Sequence, residues 1–259
     1  MTMAKLEVLL FDVDGTLADT ERDGHRVAFN RAFAERGLDW RWDEGLYGEL
    51  LAVTGGKERI RRYIEKTHPG FSGEGDLDEY IAGLHQLKTK HFKQIMAEGR
   101  LPLRSGVLRL IGEARQAGLR LGIATTTTPA NVTALLGAAI GEEATSWFDV
   151  IAAGDIVPAK KPAPDIYLWA MEQLGVEPAQ CAALEDSENG IKSVRAAGIP
   201  TVIITVNGYT RHERFDGASI VVDQLGEPGE PCEVLSSNRA GTRIVDLALI
   251  RALHEAGGC

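Results

Sequence analysis

Two aspartates one residue apart follow the first apolar run of the chain. The run Val8 to Phe11 leads directly into Asp12 and Asp14. Neighbouring carboxylates repel each other, and burying a carboxylate without a partner is costly. We therefore expect a positive charge to meet this pair, as in a functional site, or one of the two to hold a proton. The plain alternative is that Asp14 and Gly15 form an ordinary turn.

Three later apolar runs are also followed by polar residues that can do chemistry. These are Thr125 at the start of a run of four threonines, the pair Lys160 and Lys161, and the pair Glu185 and Asp186. Each has a simple explanation by itself, because threonines cap helices and lysines occupy solvated loops. If the runs are parallel strands, however, their carboxyl ends meet at one edge of a sheet, where α/β proteins bind ligands. Together the four segments predict one site.

The chemistry that suits these residues is phosphoryl transfer through an aspartyl phosphate. Asp12 would be the nucleophile, and the negative charge around the phosphorus must be neutralised before it can attack. Mg²⁺ does this with hard oxygen ligands. The predicted metal residues are Asp12, Asp14, Asp186 and Glu185, the last through a water. Gly15 permits a tight turn in which a main-chain carbonyl faces the metal.

Other residues of the same segments have predicted roles around the phosphate. Asp14 would protonate the departing alkoxide and then deprotonate the hydrolytic water. A lysine of the 160–161 pair would hold the nucleophile and the phosphate together. Thr125, with the amides after it such as that of Thr126, would cradle the remaining phosphate oxygens.

Short apolar runs alternate with amphipathic segments along most of the chain. Strands are predicted at Leu6–Phe11, Arg120–Ala124, Val150–Ala152, Ala182–Leu184, Thr201–Thr205 and Ser219–Val222. Helices are predicted at Val107–Ala117, with Ser105 as its cap, and at Ala130–Leu136, Asp165–Leu174 and Gly190–Ala197. Towards the end, 226–231 is predicted as a loop and Thr242–Ala256 as a helix. The alternation predicts an α/β fold with a doubly wound parallel sheet covered on both faces.

Residues 20–103 interrupt this alternation with helical patterns only. The predicted helices are His25–Arg36, Asp43–Leu51, Lys57–Lys66 and Asp76–Ala97. We expect an inserted all-α domain at 20–103, and a catalytic core made of 1–19 and 104–259. The second crossing, Arg100–Gly106, contains Pro102 and suits a linker.

The amino-acid composition limits the kinds of molecule that the chain is expected to bind. The chain has 259 residues, 44% hydrophobic and 25% charged, which is ordinary for a soluble globular protein. A net charge of -9 argues against non-specific binding to nucleic acid or to a membrane surface. Three scattered cysteines (Cys181, Cys232 and Cys259) suit a reducing compartment. We expect a cytoplasmic monomer that acts on a small molecule.

Four motifs occur in an order that resembles the haloacid dehalogenase superfamily. They are DVDGT, the strand-ending Thr125, KKPAPDIY and LEDSENG. The resemblance implies a Rossmann-like core with an α-helical cap inserted after the first motif. It implies that Asp12 is the nucleophile, Asp14 the acid/base, Thr125 a phosphate ligand, Lys161 rather than Lys160 the motif lysine, and Asp186 a Mg²⁺ ligand supported by Glu185.

Within that superfamily, three segments are similar to the CbbY-like proteins. They are DTERDGHRVAFNRAF, WDEGLYGELLAVTGGKERI and VIAAGDIV. This resemblance implies dephosphorylation of xylulose 1,5-bisphosphate, which inhibits the carbon-fixing enzyme Rubisco.

The predicted insertion offers candidates for binding the rest of the substrate. Gly56, Lys57 and Arg59 open a helix whose bare amides and cations can bind a second phosphate. The plain alternative is an ordinary Thr-capped helix with solvated charges. Further candidates for sugar hydroxyls or phosphate are Asp19, His25 and Tyr47. The aromatic residues Phe29, Phe33 and Trp42 are expected in the core of the insertion instead.

Other functions share parts of this pattern. A β-phosphoglucomutase-like phosphosugar mutase has the same motifs and differs in whether the phosphoenzyme yields to a sugar or to water. A phosphoglycolate phosphatase would leave the second anion site without a purpose. A non-enzymatic phosphoacceptor signalling module also gathers acids and a lysine at a sheet edge, but it needs an open face, which an insertion of about 80 residues would obstruct.

Overall fold

The strands of the chain form a single mixed sheet. The computed structural model describes residues 4–73, 75–99, 101–236 and 241–257. Its strands are β1 (Val8–Phe11), β2 (Arg120–Thr125), β3 (Val150–Ala153), β4 (Cys181–Glu185), β5 (Thr201–Thr205), β6 (Ile220–Val222) and β7 (Val234–Ser236). The order across the sheet is β3-β2-β1-β4-β5-β6-β7. All neighbours pair in parallel except β6 and β7, which are antiparallel.

Helices follow the strands as the periodicity predicts. They are α1 (Arg26–Glu35), α2 (Glu44–Leu50), α3 (Gly56–Thr67), α4 (Leu77–Ala97), α5 (Val107–Gln116), α6 (Pro129–Ala139), α7 (Asp165–Leu174), α8 (Glu188–Ala196) and α9 (Leu247–Glu255). A π-helical turn, Glu21–His25, leads into α1. Asp43 and Asp76 cap α2 and α4 from the residues at which those helices were predicted to begin.

Both faces of the sheet are covered, so the predicted doubly wound fold is confirmed. Along β1, Val8 and Leu10 pack with α7 and α8, whereas Leu9 and Phe11 pack with α5, α6 and α9. A strand buried on both faces needs an apolar side chain at every position, which explains the continuous run. The strand order reverses at β1, since β2 and β3 are added on one side of it and β4 and β5 on the other, and polar side chains gather at the carboxyl ends there.

The described residues between Thr20 and Leu103 contribute helices and no strand of the sheet. Their aromatic core contains Phe29, Phe33 and Trp42, as predicted. The two crossings lie side by side, because Ala18 and Leu103 form an isolated bridge.

Several features differ from the sequence prediction, among them the start of α9, which is at Leu247 rather than Thr242. The N-cap of α5 is Gly106, in the left-handed region at φ 83°, rather than Ser105, whose hydroxyl donates to Glu230 instead. Helix α8 begins at Glu188, two residues before the predicted Gly190, with Ser187 as its N-cap. Strand β7 was not predicted, because its side chains are partly or fully exposed and show no apolar pattern.

Two cysteines of the described residues, Cys181 and Cys232, are buried and carry free thiols. Arg100 and Cys259 lie outside the described residues. No helix in the described ranges combines the length and the apolar character that crossing a bilayer requires.

Candidate active site

A lysine meets the first aspartate, as the isolated carboxylate pair led us to expect. Asp12 follows β1 and is buried beside Lys161, which comes from the loop between β3 and α7. Lys161 Nζ lies 2.7 Å from Asp12 Oδ1, 2.6 Å from Glu185 Oε1 and 2.9 Å from the carbonyl oxygen of Ala124. All three donor positions of the ammonium are therefore used, and the lysine is fixed against the nucleophile candidate.

Three buried carboxylates converge at this point. Among the described residues, Asp12, Glu185 and Asp186 form a group whose oxygens lie within 4.8 Å of one another. Burial raises the pKa of Asp12 to about 7, with Lys161 opposing the shift and Glu185 adding to it. Burial and the two neighbouring carboxylates also raise the pKa of Asp186 well above its usual range. One ammonium does not neutralise three carboxylates, and hard oxygen donors in this number suit a divalent cation such as Mg²⁺.

Asp14 is not among the described carboxylates of that acidic group, so its predicted role as a metal ligand stays a prediction without geometric support. It accepts hydrogen bonds from the Thr20 hydroxyl and from His25, whose Nε2 lies 2.7 Å from Asp14 Oδ1. Burial alone would raise the pKa of Asp14, but His25 and Thr20 hold it below its usual range. The two aspartates of the opening motif therefore have opposite electrostatic surroundings.

His25 is held from its other side by a buried lysine. Lys88 Nζ, on α4, lies 2.9 Å from His25 Nδ1, and the imidazole stacks on Phe92 with 4.1 Å between ring centroids. Burial lowers the pKa of Lys88 to about 8. An ammonium only donates, so while Lys88 is charged, His25 Nδ1 accepts and Nε2 carries the hydrogen that reaches Asp14.

A cleft opens between the sheet edge and the helical insertion. Its core side includes Asp12, Thr125, Thr126, Lys161 and Asp186, and its insertion side includes Glu21, Thr54 and Arg59. Thr125 is buried at the end of β2, and its hydroxyl accepts from the amide of Thr127. The structure thus brings all four core motifs together with the start of α3.

Arg59 is the cation that the insertion presents to this cleft. Its guanidinium is buried, and Nη1 donates to the Tyr47 hydroxyl at 2.9 Å while Nε donates to the Leu50 carbonyl at 3.3 Å. The Tyr47 hydroxyl donates in turn to Glu21. Tyr47 therefore lies behind Arg59 and fixes it, and it does not line the cleft itself.

Gly56 and Lys57 are adjacent in sequence but lie in different surroundings. Gly56 lines a small cavity next to the cleft with Arg59 and His85, and a Cβ at this position would collide with the His85 ring. Lys57 lines neither cavity, because its Nζ pairs with Asp155 of the core at 2.5 Å. Its anion-binding role stays a prediction, and in this structure it bridges the insertion and the core.

Asp19 is not brought to the cleft. Its side chain is 66% exposed and lies 4.0 Å from Arg104, at the crossing between the core and the insertion. Its contact with substrate therefore stays a prediction without geometric support.

Lys88 and Asn207 are among the residues of the site that were missed from the sequence. Lys88 lies among polar residues of a long helix, and no local pattern distinguishes it from a solvated lysine. Asn207 donates from Nδ2 to Asp186 Oδ2 at 2.7 Å. It follows the apolar strand β5 closely, so the rule that polar residues after strands form the site would have found it.

Known proteins match this chain over most of its length. It is 48% identical to the CbbY protein of Cupriavidus necator over 250 residues, which is 96% of this chain and 97% of that protein. A crystal structure of a CbbY variant from Rhodobacter sphaeroides in complex with xylulose 1,5-bisphosphate is 48% identical. The alignment with that structure covers 85% of this chain and 94% of the CbbY chain, with a TM-score of 0.78.

More distant matches agree on the type of enzyme. The fructose-1-phosphate phosphatase YqaB of Escherichia coli is 32% identical over 195 residues, covering 75% of this chain and 94% of that protein. The family model of haloacid dehalogenase-like hydrolases matches residues 6–198. Both findings indicate a phosphatase, and the chain belongs to the haloacid dehalogenase-like hydrolase family.

Proposed function

We propose that this chain hydrolyses a sugar bisphosphate, xylulose 1,5-bisphosphate or a close relative, through a phosphorylated Asp12 and with the help of Mg²⁺. The observation that carries the proposal is the position of Asp12, held at 2.7 Å by Lys161 and bordered by the carboxylates of Glu185 and Asp186. A nucleophile, a fixed cation and a group of oxygen ligands are the parts that attack on a phosphate monoester requires.

The acidic group fits the metal by its chemistry. Asp12 and Asp186 would hold Mg²⁺ directly and Glu185 through a water, which leaves Glu185 Oε1 bonded to Lys161. When bound, the metal neutralises charge on the phosphate oxygens. A bound cation would also favour the ionised form of Asp12, whose pKa burial raises.

Two displacements at phosphorus complete the proposed reaction. First an Asp12 oxygen attacks the phosphorus, the bond to the sugar oxygen breaks, and that oxygen takes a proton from Asp14. Then a water gives a proton to Asp14, its oxygen attacks the phosphorus, and the bond to Asp12 breaks. In the free chain the pKa of Asp14 lies below its usual range. An adjacent phosphate dianion opposes that shift, because like charges favour the protonated carboxyl.

The helical insertion, residues 20–103, would act as a cap domain on this core. Arg59 reaches the cleft from the insertion, beside the N-terminal amides of α3 at Gly56. A second phosphate bound there would hold the insertion closed and exclude bulk water from the first. The CbbY crystal structure with xylulose 1,5-bisphosphate supports this choice of substrate class, since that protein is 48% identical to this chain over the aligned residues.

Phosphate release from a panel of substrates tests the proposal. Xylulose 1,5-bisphosphate, fructose 1-phosphate, phosphoglycolate and β-glucose 1-phosphate would be compared with Mg²⁺ and with EDTA. We expect the bisphosphate to have the highest kcat/KM and EDTA to abolish release. Turnover of β-glucose 1-phosphate to its 6-phosphate isomer, only with a bisphosphate primer, would identify a mutase instead.

A further inference from the structure

Asn207 contacts one of the carboxylates of the acidic group directly. Its Nδ2 donates to Asp186 Oδ2 at 2.7 Å, from the loop that follows β5. We propose that Asn207 is a positioning residue that orients Asp186 for the metal; the inference rests on the proposed Mg²⁺ site.

The orientation of the Asn207 amide follows from its other hydrogen bonds. Oδ1 accepts from the backbone amides of Tyr209 at 2.9 Å and Thr210 at 3.2 Å. The backbone N–H of Asn207 donates to Thr210 Oγ1 at 3.1 Å, which closes the turn. Only the NH₂ group is left to face Asp186, so the donor cannot be exchanged for an acceptor without breaking the turn.

The loop after β1 packs closely against this contact. Gly15 has φ 87°, and a Cβ there would lie 2.6 Å from Asn207 Nδ2 and still closer to Asp186 Oδ2. The glycine of the DVDGT motif thus leaves the space that the pair fills, in addition to permitting the turn. A side chain at residue 15 would displace Asp186 or Asn207.

One arginine bonds to both the loop after β1 and the loop after β5 and keeps them close together. Arg104 donates from Nη1 to the Gly15 carbonyl and from Nη2 to the Val206 carbonyl at 2.6 Å. Since Val206 precedes Asn207, the position of the amide is set by backbone contacts on both sides of the site. A side chain held in this way loses little further entropy when it holds a metal ligand.

Partners that hold a metal ligand in this way affect metal affinity. Their removal typically weakens binding roughly 10- to 100-fold, because the free ligand rotates away from its binding geometry. We expect the same for Asn207→Ala and for Asn207→Ser. The serine hydroxyl can accept a backbone N–H of the turn but is too short to reach Asp186.

The experiment is a Mg²⁺ titration of the full chain without substrate, read from the thermal unfolding midpoint as a function of Mg²⁺ concentration. Wild type, Asn207→Ala, Asn207→Ser and Thr210→Val would be compared. Thr210→Val removes the acceptor for the Asn207 backbone N–H but keeps the amide donor to Asp186, so it controls for a loosened turn.

We expect both Asn207 variants to bind Mg²⁺ roughly 10- to 100-fold more weakly, and Thr210→Val to bind close to wild type. Equal affinity in wild type and Asn207→Ser would overturn the inference while leaving the metal site intact. Equal weakening in Thr210→Val would assign the effect to the turn and would also overturn it. A wild-type chain whose midpoint does not respond to Mg²⁺ would overturn both the inference and the proposed metal site. If Asn207→Ala does not fold, Asn207→Ser alone decides.

Discussion

Asp14 is the residue on which release of the sugar depends. In Asp14→Asn the amide cannot give or take the proton, so we expect steady-state turnover of a sugar phosphate to fall roughly 10²- to 10⁴-fold. The nitrophenolate of p-nitrophenyl phosphate leaves without a proton, so Asp12 is still phosphorylated with this substrate. Rapid mixing should show about one equivalent of nitrophenolate in a burst, followed by slow turnover.

The burst distinguishes attack by Asp12 on the phosphate from proton transfer by Asp14. Asp14→Asn keeps the contact between Asp12 and Lys161, so the first displacement has its parts in place. If Asp14→Asn lost both the burst and the steady-state turnover, Asp14 would be needed for the attack by Asp12 and not only for protonation of the leaving group.

Lys88 makes the stability of the chain depend on pH in alkaline solution. Burial lowers the pKa of Lys88 from 10.5 to about 8. Between these values the unfolded chain holds more protons at Lys88 than the folded chain, so the free energy of unfolding rises with pH. In Lys88→Met this contribution is absent. Urea unfolding at several pH values across that window should show a steeper rise for wild type than for Lys88→Met.

An exposed lysine on the same helix provides the control. Lys90 lies on α4 with a side chain 57% exposed, and Lys90→Met keeps Lys88 in place. We expect Lys90→Met to retain the wild-type slope. Parallel curves for wild type and Lys88→Met would contradict the burial of a charged lysine beside His25.

Site residues that follow apolar strands could be predicted from the sequence. A residue that contacts the site only through another side chain could not. Asp12 and Asp186 were predicted from their positions after strands, whereas position gave only a pair of lysines, from which the family resemblance selected Lys161; the structure brings all three together. Lys88 reaches Asp14 only through His25, across 63 residues of sequence. Such a contact depends on how α4 packs on α1, which local patterns do not encode.

Periodicity predicted the helices and the central strands because their apolar faces are fully buried. It failed at β7, where pairing with β6 rather than burial holds the strand. The start of α5 at Val107 was predicted correctly, but its cap was not, since Ser105 is a good capping residue while Gly106 adopts the left-handed conformation that the crossing needs. Element ends are decided by tertiary contacts more often than by propensity.

We expect residues at the start of α3 to determine whether the enzyme prefers a bisphosphate to a monophosphate. Truncation in Arg59→Ala removes the cation that the insertion presents to the cleft. A charge-assisted contact of this kind is worth about 1.5–3 kcal/mol, so kcat/KM for the bisphosphate should fall roughly 10- to 100-fold. The rate with p-nitrophenyl phosphate, which does not reach α3, should change little.

Lys57→Ala is the matched control from the same helix turn. It removes an exposed pair with Asp155, and exposed pairs contribute little. Because Lys57 pairs with Asp155 and does not line the cleft in this structure, we expect a small effect on both substrates; a selective loss with the bisphosphate would instead support its predicted anion-binding role. If Arg59→Ala slows both substrates equally, Arg59 supports the fold of the insertion and the second phosphate site is refuted.

The protein is negatively charged overall and in the cleft, where a negatively charged phosphate would bind. The net charge is -9, and three carboxylates line the floor of the cleft, so binding a phosphate requires local cations. Chelation with EDTA should therefore abolish phosphate release, and added Mg²⁺ should restore it. Ca²⁺ should raise the unfolding midpoint but support poor turnover, because its larger and looser shell misplaces Asp12. Undiminished release in EDTA would contradict the metal site.

Steady-state phosphate release by Asp12→Asn tests the covalent reaction most directly. The amide has the shape of the carboxylate and can still accept from Lys161, while one buried negative charge is removed from the acidic group. The fold should therefore survive, with an unfolding midpoint at or above that of wild type. With Mg²⁺ and xylulose 1,5-bisphosphate, release should fall to the uncatalysed background, because no other described group can attack from that position. Appreciable release by a folded Asp12→Asn chain would contradict the account.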